Sequence, residues 1–306
     1  MMKEIFPKNT DNIPTLDDLL KSIGADFEAV QQPIFKLEED GSYSAISGYS
    51  TIVNSVNKAP LSVMSARYGL SQYKDTLAFL DDLVGQGAAT LWSATMTDNG
   101  AKLHVAIKAP NSVVFAPGDE FECFYTASSS HDGSISIQFM ASPVHKKTQT
   151  ILPSLDNGII KIRHTARVKD RLARAQSIIR KMQDTWLQHS DSFKKFAGVP
   201  LTDIEAQTYF EMLVPSDAEE VATRTKNVRE KLFDIYKVGV AANLPSCKDT
   251  LLGAFVAALV FGDYYKTVRE SITGRSDRDA RIESRLTGSA ARFKADSFAY
   301  AVKLMK

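Results

Sequence analysis

The stretch LWSATMTDNGAKLHVAIKAP, residues 91–110, determines the fold class of this 306-residue chain. At its centre lies Asn99-Gly100, a pair typical of a tight hairpin turn because both central turn positions take positive φ. After the turn, apolar side chains such as Leu103 and Val105 alternate with more polar ones, which predicts a strand with one buried face. The stretch therefore predicts an antiparallel hairpin.

A second hairpin is predicted in DEFECFYTASSSHDGSISIQFM, residues 119–140, whose turn carries Asp132-Gly133. Together the two hairpins predict a sheet of about four strands. His131 and Asp132 also have the residue types of a catalytic dyad. Adjacent residues of an extended chain point in opposite directions, so a structural turn is the favoured interpretation.

Beyond Pro153 the pattern becomes helical. Capping-box spacings predict helix starts at Thr202 and Ser216, each followed three residues later by Glu. The apolar run Leu251–Val268 predicts a helix at the centre of the core, and Gly288 predicts a break before the last helix. The fold class is therefore α+β: a twisted, mostly antiparallel sheet of about four strands backed by helices, with a helical C-terminal half.

The hairpins lie in an N-terminal part, residues 1–150, and the helices in residues 151–306, and we expect the two parts to form one integrated domain. The net charge is +1, which indicates no class of partner. Its distribution is uneven, with a net of −5 over residues 1–40 and +5 over residues 266–306. The two ends are predicted to attract each other, within one fold or between subunits.

Several classes of site and location are disfavoured by composition. Cys123 and Cys247 are the only cysteines, so we expect neither a structural disulfide nor a cysteine-based metal site. The five histidines show no metal-ligand spacing, and no phosphate loop occurs, so no cofactor is expected. The N-terminus has no apolar signal-peptide core and the longest apolar run is too short to span a bilayer, which favours the cytoplasm of a bacterial host.

The strongest functional signal is KIRHTARVKDRLARAQSIIRK, residues 161–181, where eight residues are Lys or Arg and one, Asp170, is acidic. The pattern predicts one long helix within Ile160–Gln188, with Thr165 as its N-cap and an apolar stripe at helical period. Cations beside a buried stripe suit a polyanion, although a solvated surface helix explains them equally well. The predicted nucleic-acid-binding residues are Lys161, Arg163, His164, Arg167, Arg171, Arg174 and Lys181.

A smaller basic cluster, His145-Lys146-Lys147, lies at the end of a predicted strand. Across a turn it would extend the cationic flank that begins at Lys161, so Lys146 and Lys147 join the predicted binding residues. His164, at the predicted helix start, is a candidate phosphate ligand together with the free N–H groups there.

Five segments spread along the chain form a recognisable set. They are RYGLSQY (67–73), SHDGS (130–134), RHTARVKDRLARA (163–175), TLLGAFVAALVFGDYY (250–265) and RIESRLTGSAARFKADSFAYA (281–301). Together they resemble one family, the phage/plasmid-like proteins classed as domain of unknown function 932. In place of the Cys- and Asn-containing run that this family usually shows after Pro143, this chain has VHKKTQT. The resemblance implies an origin in a phage, plasmid or prophage and implies no settled activity.

Two functions from different classes follow as hypotheses. The leading one is a non-enzymatic protein of mobile elements that binds single-stranded nucleic acid without sequence readout and promotes annealing as a homo-oligomer, by architectural analogy with phage annealing proteins. The alternative is a homo-oligomeric interaction or anti-defence protein whose basic flank binds an acidic protein, such as the acidic N-terminus of its own neighbour. A metal-dependent nuclease, suggested by Asp81-Asp82, is the least favoured interpretation.

Overall fold

The computed structural model describes residues 6–8, 15–85, 87, 89–116, 119–153, 159–162, 190–216, 221–268 and 276–305. The strands are β1 (Ala29–Leu37), β2 (Tyr43–Asn54), β3 (Pro60–Ser65), β4 (Thr90–Thr97), β5 (Lys102–Ala116), β6 (Asp119–Ser130), β7 (Ile137–Ala141), β8 (Val144–His145), β9 (Thr150–Ile151) and β10 (Ile159–Ile162). The helices are α1 (Leu16–Ser22), α2 (Tyr73–Leu77), α3 (Phe79–Gly85), α4 (Asp203–Leu213), α5 (Thr223–Val238), α6 (Leu251–Val260), α7 (Asp277–Leu286) and α8 (Ser289–Leu304). Residues 190–197 are also helical.

The main sheet has the strand order β10-β7-β6-β5-β4, with β8 beside β6 and β9 beside β8. All of its pairs are antiparallel over the described residues. The predicted α+β class is therefore confirmed. The sheet is larger than the four strands that the two hairpins predicted, because the short strands β8, β9 and β10 extend it.

The predicted turn joins β4 to β5. Asp98, Asn99 and Gly100 all have positive φ, at 52°, 56° and 92°, and Thr97 pairs with Lys102 across the turn. Asn and Asp tolerate this left-handed region better than other residues with a side chain. The hairpin predicted from Asn99-Gly100 is confirmed.

A second, three-stranded sheet is formed by β1, β2 and β3, all antiparallel. Near the main sheet it is anchored by Ile52, which is fully buried, and by Ser62, whose Oγ donates to the His131 carbonyl at 2.7 Å. Residues 34–49 of the β1–β2 hairpin are exposed or half-buried.

The helical half packs around α6, whose ten residues are all buried. Residues Phe193, Phe196, Phe255 and Phe298 form a mutually packed aromatic cluster, with ring centroids 5.5 to 6.0 Å apart. The predicted central helix over Leu251–Val268 is confirmed for its first ten residues, after which the backbone continues as a π-turn, Phe261–Tyr265.

The predicted capping box at Thr202 begins a helix. Thr202 and Glu205 exchange both capping hydrogen bonds at the start of α4. The prediction that Ser216 caps the next helix is wrong, because α5 begins at Thr223 after the non-helical residues Val221 and Ala222. Residues 217–220, between Ser216 and this start, lie outside the described residues.

A strand precedes the predicted basic helix. Ile159–Ile162 form β10 and pair with β7, with Lys161 opposite Gln138. β-branched isoleucines favour a strand, and β7 offers a hydrogen-bonding edge for it. The predicted helix, from its N-cap Thr165 to Gln188, lies outside the described residues.

Candidate nucleic-acid interface

Among the predicted binding residues of segment 161–181, Lys161 is the one whose position is described. It is exposed on β10, and β10 is the end strand of the main sheet over the described residues. The segment with the highest cationic density therefore follows directly from a sheet edge. The other predicted binding residues of this segment lie outside the described residues: Arg163, His164, Arg167, Arg171, Arg174 and Lys181.

Lys146 and Lys147 are exposed in the turn after β8. The Lys146 Nζ lies 2.9 Å from a Glu120 carboxylate oxygen, and this hydrogen bond raises the pKa of Lys146. Lys146 also pairs by its backbone with Glu120, whereas Lys161 aligns through β7 with Ser128 of β6. Eight residues of strand separate these positions, about 26 Å, so Lys146 and Lys161 do not form one compact cluster.

His145 does not belong to a surface basic cluster, because its side chain is fully buried. Its Nε2 lies 2.9 Å from Asp119 Oδ1. Its Nδ1 accepts from the Thr148 backbone N–H at 3.1 Å and lies 2.9 Å from the Thr148 Oγ1. Because Nδ1 accepts, the ring proton lies on Nε2 and is donated to Asp119.

A carboxylate that orients an imidazole is also the arrangement of many general bases. Here both side chains have no exposed surface, so a substrate has no access to them in this conformation. The Asp119 Oδ2 is buried and makes no hydrogen bond to the described residues. The pair therefore holds the β8–β9 turn against the end of β6.

A second buried pair joins Asp263 of the π-turn to Lys294 of α8, with 2.7 Å between Nζ and Oδ1. Asp263 Oδ2 accepts from the Ile151 backbone N–H at 2.9 Å, and the Asp263 carbonyl accepts from Arg285 Nε at 2.7 Å. Burial lowers the pKa of Lys294. One carboxylate thus connects β9, the π-turn and α8.

Lys102 forms the centre of a third, partly buried cluster. Its Nζ lies 2.6 Å from Asp98, 3.1 Å from Glu283 and 3.5 Å from Asp132. Asp279 accepts from the Asp98 backbone N–H at 3.1 Å. These contacts attach the β4–β5 turn to α7. Within the described parts of the chain, no group of three or more His, Cys, Asp or Glu side chains is arranged to hold a metal ion.

The His131-Asp132-Gly133-Ser134 segment is a turn, as predicted. Asp132 Oδ1 accepts from the Ser134 backbone N–H at 2.9 Å and from its hydroxyl at 2.6 Å. His131 is fully buried, and its ring centroid lies 4.0 Å from that of Tyr73. This segment therefore has the structural role that its Asp-Gly pair indicates, and His131 and Asp132 are not arranged as a catalytic dyad.

The outer part of the β1–β2 hairpin, residues 34–49, is named here the arm. Its side chains Phe35, Leu37 and Tyr43 are 53%, 66% and 73% exposed. Leu37 pairs with Tyr43, and alternate or directly opposed residues lie on one face of a sheet, so the three share a face. Acidic side chains, Glu38 to Asp40, occupy the tip.

Two further predictions concern thiols and membranes. Cys123 and Cys247 are both buried and free. Burial raises the pKa of Cys123 to about 11 and that of Cys247 to about 12. A search of the described residues finds no helix with the length and apolar character needed to cross a membrane.

The chain was compared with known protein families, curated proteins and solved structures. The family model described as Domain of unknown function (DUF932) matches residues 60–286, more than two thirds of the chain. No curated protein and no solved structure matches this chain. The match covers the main sheet and most of the helical half, and it begins after the arm.

Proposed function

This chain belongs to the DUF932 family, and we propose that it binds single-stranded nucleic acid through the phosphate backbone and promotes annealing of complementary strands. The proposed setting is recombination of phages or plasmids in a bacterial cytoplasm. The proposal requires no bond to be made or broken.

The observation that carries the proposal is the charge density of residues 161–181. Eight cations and one acid give this segment a net charge of +7, in a chain whose overall net charge is +1. Phosphate neutralisation by clustered Lys and Arg is the dominant, sequence-independent term in nucleic-acid binding. Lys161 is exposed at an edge of the sheet, which supports the proposal. A single-stranded nucleic acid that binds along this edge would reach residues 161–181 at Lys161, the first residue of the segment.

The direct test is fluorescence anisotropy of a labelled single strand of ~30 nucleotides, a length suited to the site sizes of such proteins. We expect binding at low salt that weakens as salt rises, by roughly 0.7 in log–log slope for each neutralised phosphate. Replacing Arg167, Arg171 and Arg174 together by Glu should abolish binding. All three lie off the predicted apolar stripe, so the variant should fold.

A matched control reverses three exposed lysines elsewhere, Lys21→Glu, Lys58→Glu and Lys248→Glu, and changes the net charge equally. Retained binding in this control together with loss in the arginine variant supports the proposal. Normal binding by the arginine variant contradicts it. Labelled DNA that is degraded during long incubation with magnesium or manganese would instead indicate a nuclease.

The exposed surface of the arm favours the alternative function, a homo-oligomeric interaction protein. Its apolar face is exposed and its tip is acidic. Exposed contiguous apolar surface marks interaction sites, and the cationic segment of a second copy offers the charge complement of the tip. In this alternative, residues 161–181 bind a neighbouring arm and nucleic acid is not the ligand.

A further inference from the structure

A cluster of cations and aromatic rings lies where α5 packs against the π-turn. Lys231 Nζ lies 4.6 Å from the ring centroid of Tyr265, and Lys266 Nζ lies 5.0 Å from that of Phe293. Arg224, two turns before Lys231 on α5, donates from Nη2 to the Thr267 hydroxyl at 3.3 Å. Three cations from two separate segments therefore meet at one surface.

The charge of this cluster is not balanced by the described residues. Over those residues, no carboxylate lies within ion-pair distance of Arg224, Lys231 or Lys266. Lys266 is half-buried, and its pKa is lowered by burial first and by the Arg224 charge second. Keeping a half-buried ammonium beside another cation costs free energy, which an anionic ligand would offset.

Lys237, on the same helix, shows the opposite arrangement. Its Nζ lies 2.9 Å from Asp203 and 3.0 Å from Asp249, and the hydrogen bonds to these carboxylates raise its pKa. Among the described residues, α5 thus carries cations with and without a carboxylate within ion-pair distance. Arg224 and Lys231, which have none there, contact Thr267 and Tyr265.

The spacing and chemistry of the cluster favour a single-stranded nucleic acid. Arg224 and Lys231 are seven residues apart on one face of α5, about 10.5 Å along the axis, which is enough to contact successive phosphates. Tyr265 is 46% exposed, and Lys231 lies over its ring. Proteins that bind single strands without sequence preference combine a cationic track with aromatic rings on which bases stack. An acidic peptide would form ion pairs with the cations, but its carboxylates would not stack on the Tyr265 ring.

We propose that Arg224, Lys231, Tyr265 and Lys266 form a contact site for single-stranded nucleic acid, in which the cations neutralise phosphates and the tyrosine ring stacks on a base. Lys231 exchanges its contact with the ring for a phosphate, as its flexible side chain permits. This inference rests on the proposed function and assigns it a site distinct in sequence from residues 161–181.

The test measures anisotropy of a labelled 30-mer of deoxythymidine with Tyr265→Ala, Tyr265→Phe and the double variant Lys231→Ala with Lys266→Ala. Loss of the ring should weaken binding about tenfold, and Tyr265→Phe should bind like the wild type because it keeps the ring. The double variant should lower the salt slope by roughly 1.4. Lys303→Ala, which removes a cation lying 5.1 Å from the Tyr300 ring on α8, is the control and should bind normally.

A strand of the same length without bases separates stacking from charge. The wild type should bind this abasic strand more weakly, and Tyr265→Ala should cause no further loss on it. Circular dichroism and urea unfolding verify that each variant is folded.

Normal binding by Tyr265→Ala and the lysine double variant overturns this inference and leaves the proposed function intact. Failure of the wild type to bind any strand at low salt overturns both. Displacement of the 30-mer by polyglutamate as effectively as by unlabelled strand, with Tyr265→Ala unaffected, overturns the stacking role and indicates an acidic peptide ligand.

Discussion

Lys294 shows how strongly one side chain depends on its partner. Its ammonium and the Asp263 carboxylate both have no exposed surface and lie 2.7 Å apart. Removing one member of such a pair leaves an uncompensated buried charge. Lys294→Met should therefore lower the free energy of unfolding by about 3–5 kcal/mol, measured by urea unfolding at pH 7.

The control on the same helix is Lys303→Met, at an exposed position, which should change stability by less than about 0.5 kcal/mol. Adding Asp263→Asn to Lys294→Met should recover part of the loss, because the amide oxygen still accepts from Ile151 without carrying a charge. Equal stability of Lys294→Met and the wild type would show that the pair is not buried as described.

The two thiols give a second prediction at this scale. With pKa values raised by burial to about 11 for Cys123 and about 12 for Cys247, both remain protonated at pH 8, and the thiolate is the reactive form. A disulfide reagent should titrate neither thiol in the native protein and both after unfolding in urea. A thiol that reacts rapidly in the native state would contradict this packing.

At the scale of the element, α6 depends on its cap. Thr250 precedes the apolar run, and its Oγ1 accepts from the Gly253 backbone N–H at 3.2 Å. Thr250→Ala should cost about 1 kcal/mol of stability, measured by urea unfolding. The matched control is Thr208→Ala on α4, where the exposed hydroxyl only bonds to the Ile204 carbonyl. A similar loss in both variants would argue against a specific capping effect.

Local signals predicted those elements that depend on local contacts. Asn99-Gly100 gave the β4–β5 turn and Thr202 with Glu205 gave the start of α4, because each signal lies within a few residues of the bond it makes. Ser216 does not cap α5, and the strand at Ile159–Ile162 was not predicted. That strand pairs with β7, with Lys161 opposite Gln138, and a window of neighbouring residues does not contain such a partner.

At the scale of the whole molecule, the arm is the feature with the clearest consequence. An aromatic side chain presents about 150–250 Å², so Phe35 and Tyr43 together leave on the order of 250 Å² in solvent, and Leu37 and its neighbours add to it. A standard interface buries about 800 Å² on each partner. The apolar face alone is smaller than this, so a stable interface with a second copy also has to cover the acidic tip.

We therefore expect light scattering to show an oligomer, and Phe35→Ser with Tyr43→Ser to reduce its mass. Val56→Ser is the control, because Val56 is 76% exposed outside the arm. A wild type that is monomeric at every concentration, or an arm variant of unchanged mass, would argue against this interface. The oligomer also distinguishes the two functional hypotheses, because the alternative predicts that added nucleic acid leaves the mass unchanged.

The sequence by itself determined the α+β class, both hairpin turns, the central apolar helix and the cationic segment 161–181, because turn chemistry, alternation and charge density are encoded in adjacent residues. Tertiary structure alone decided which charges are compensated. From the sequence, His145 was predicted to join Lys146 in a basic surface cluster. Its side chain is instead buried against Asp119, 26 positions earlier in the chain. The cluster around Lys266 includes Arg224 and Lys231 of α5, which lie far earlier in the chain. Burial and ion pairing depend on through-space distance, which residue spacing along the chain does not specify.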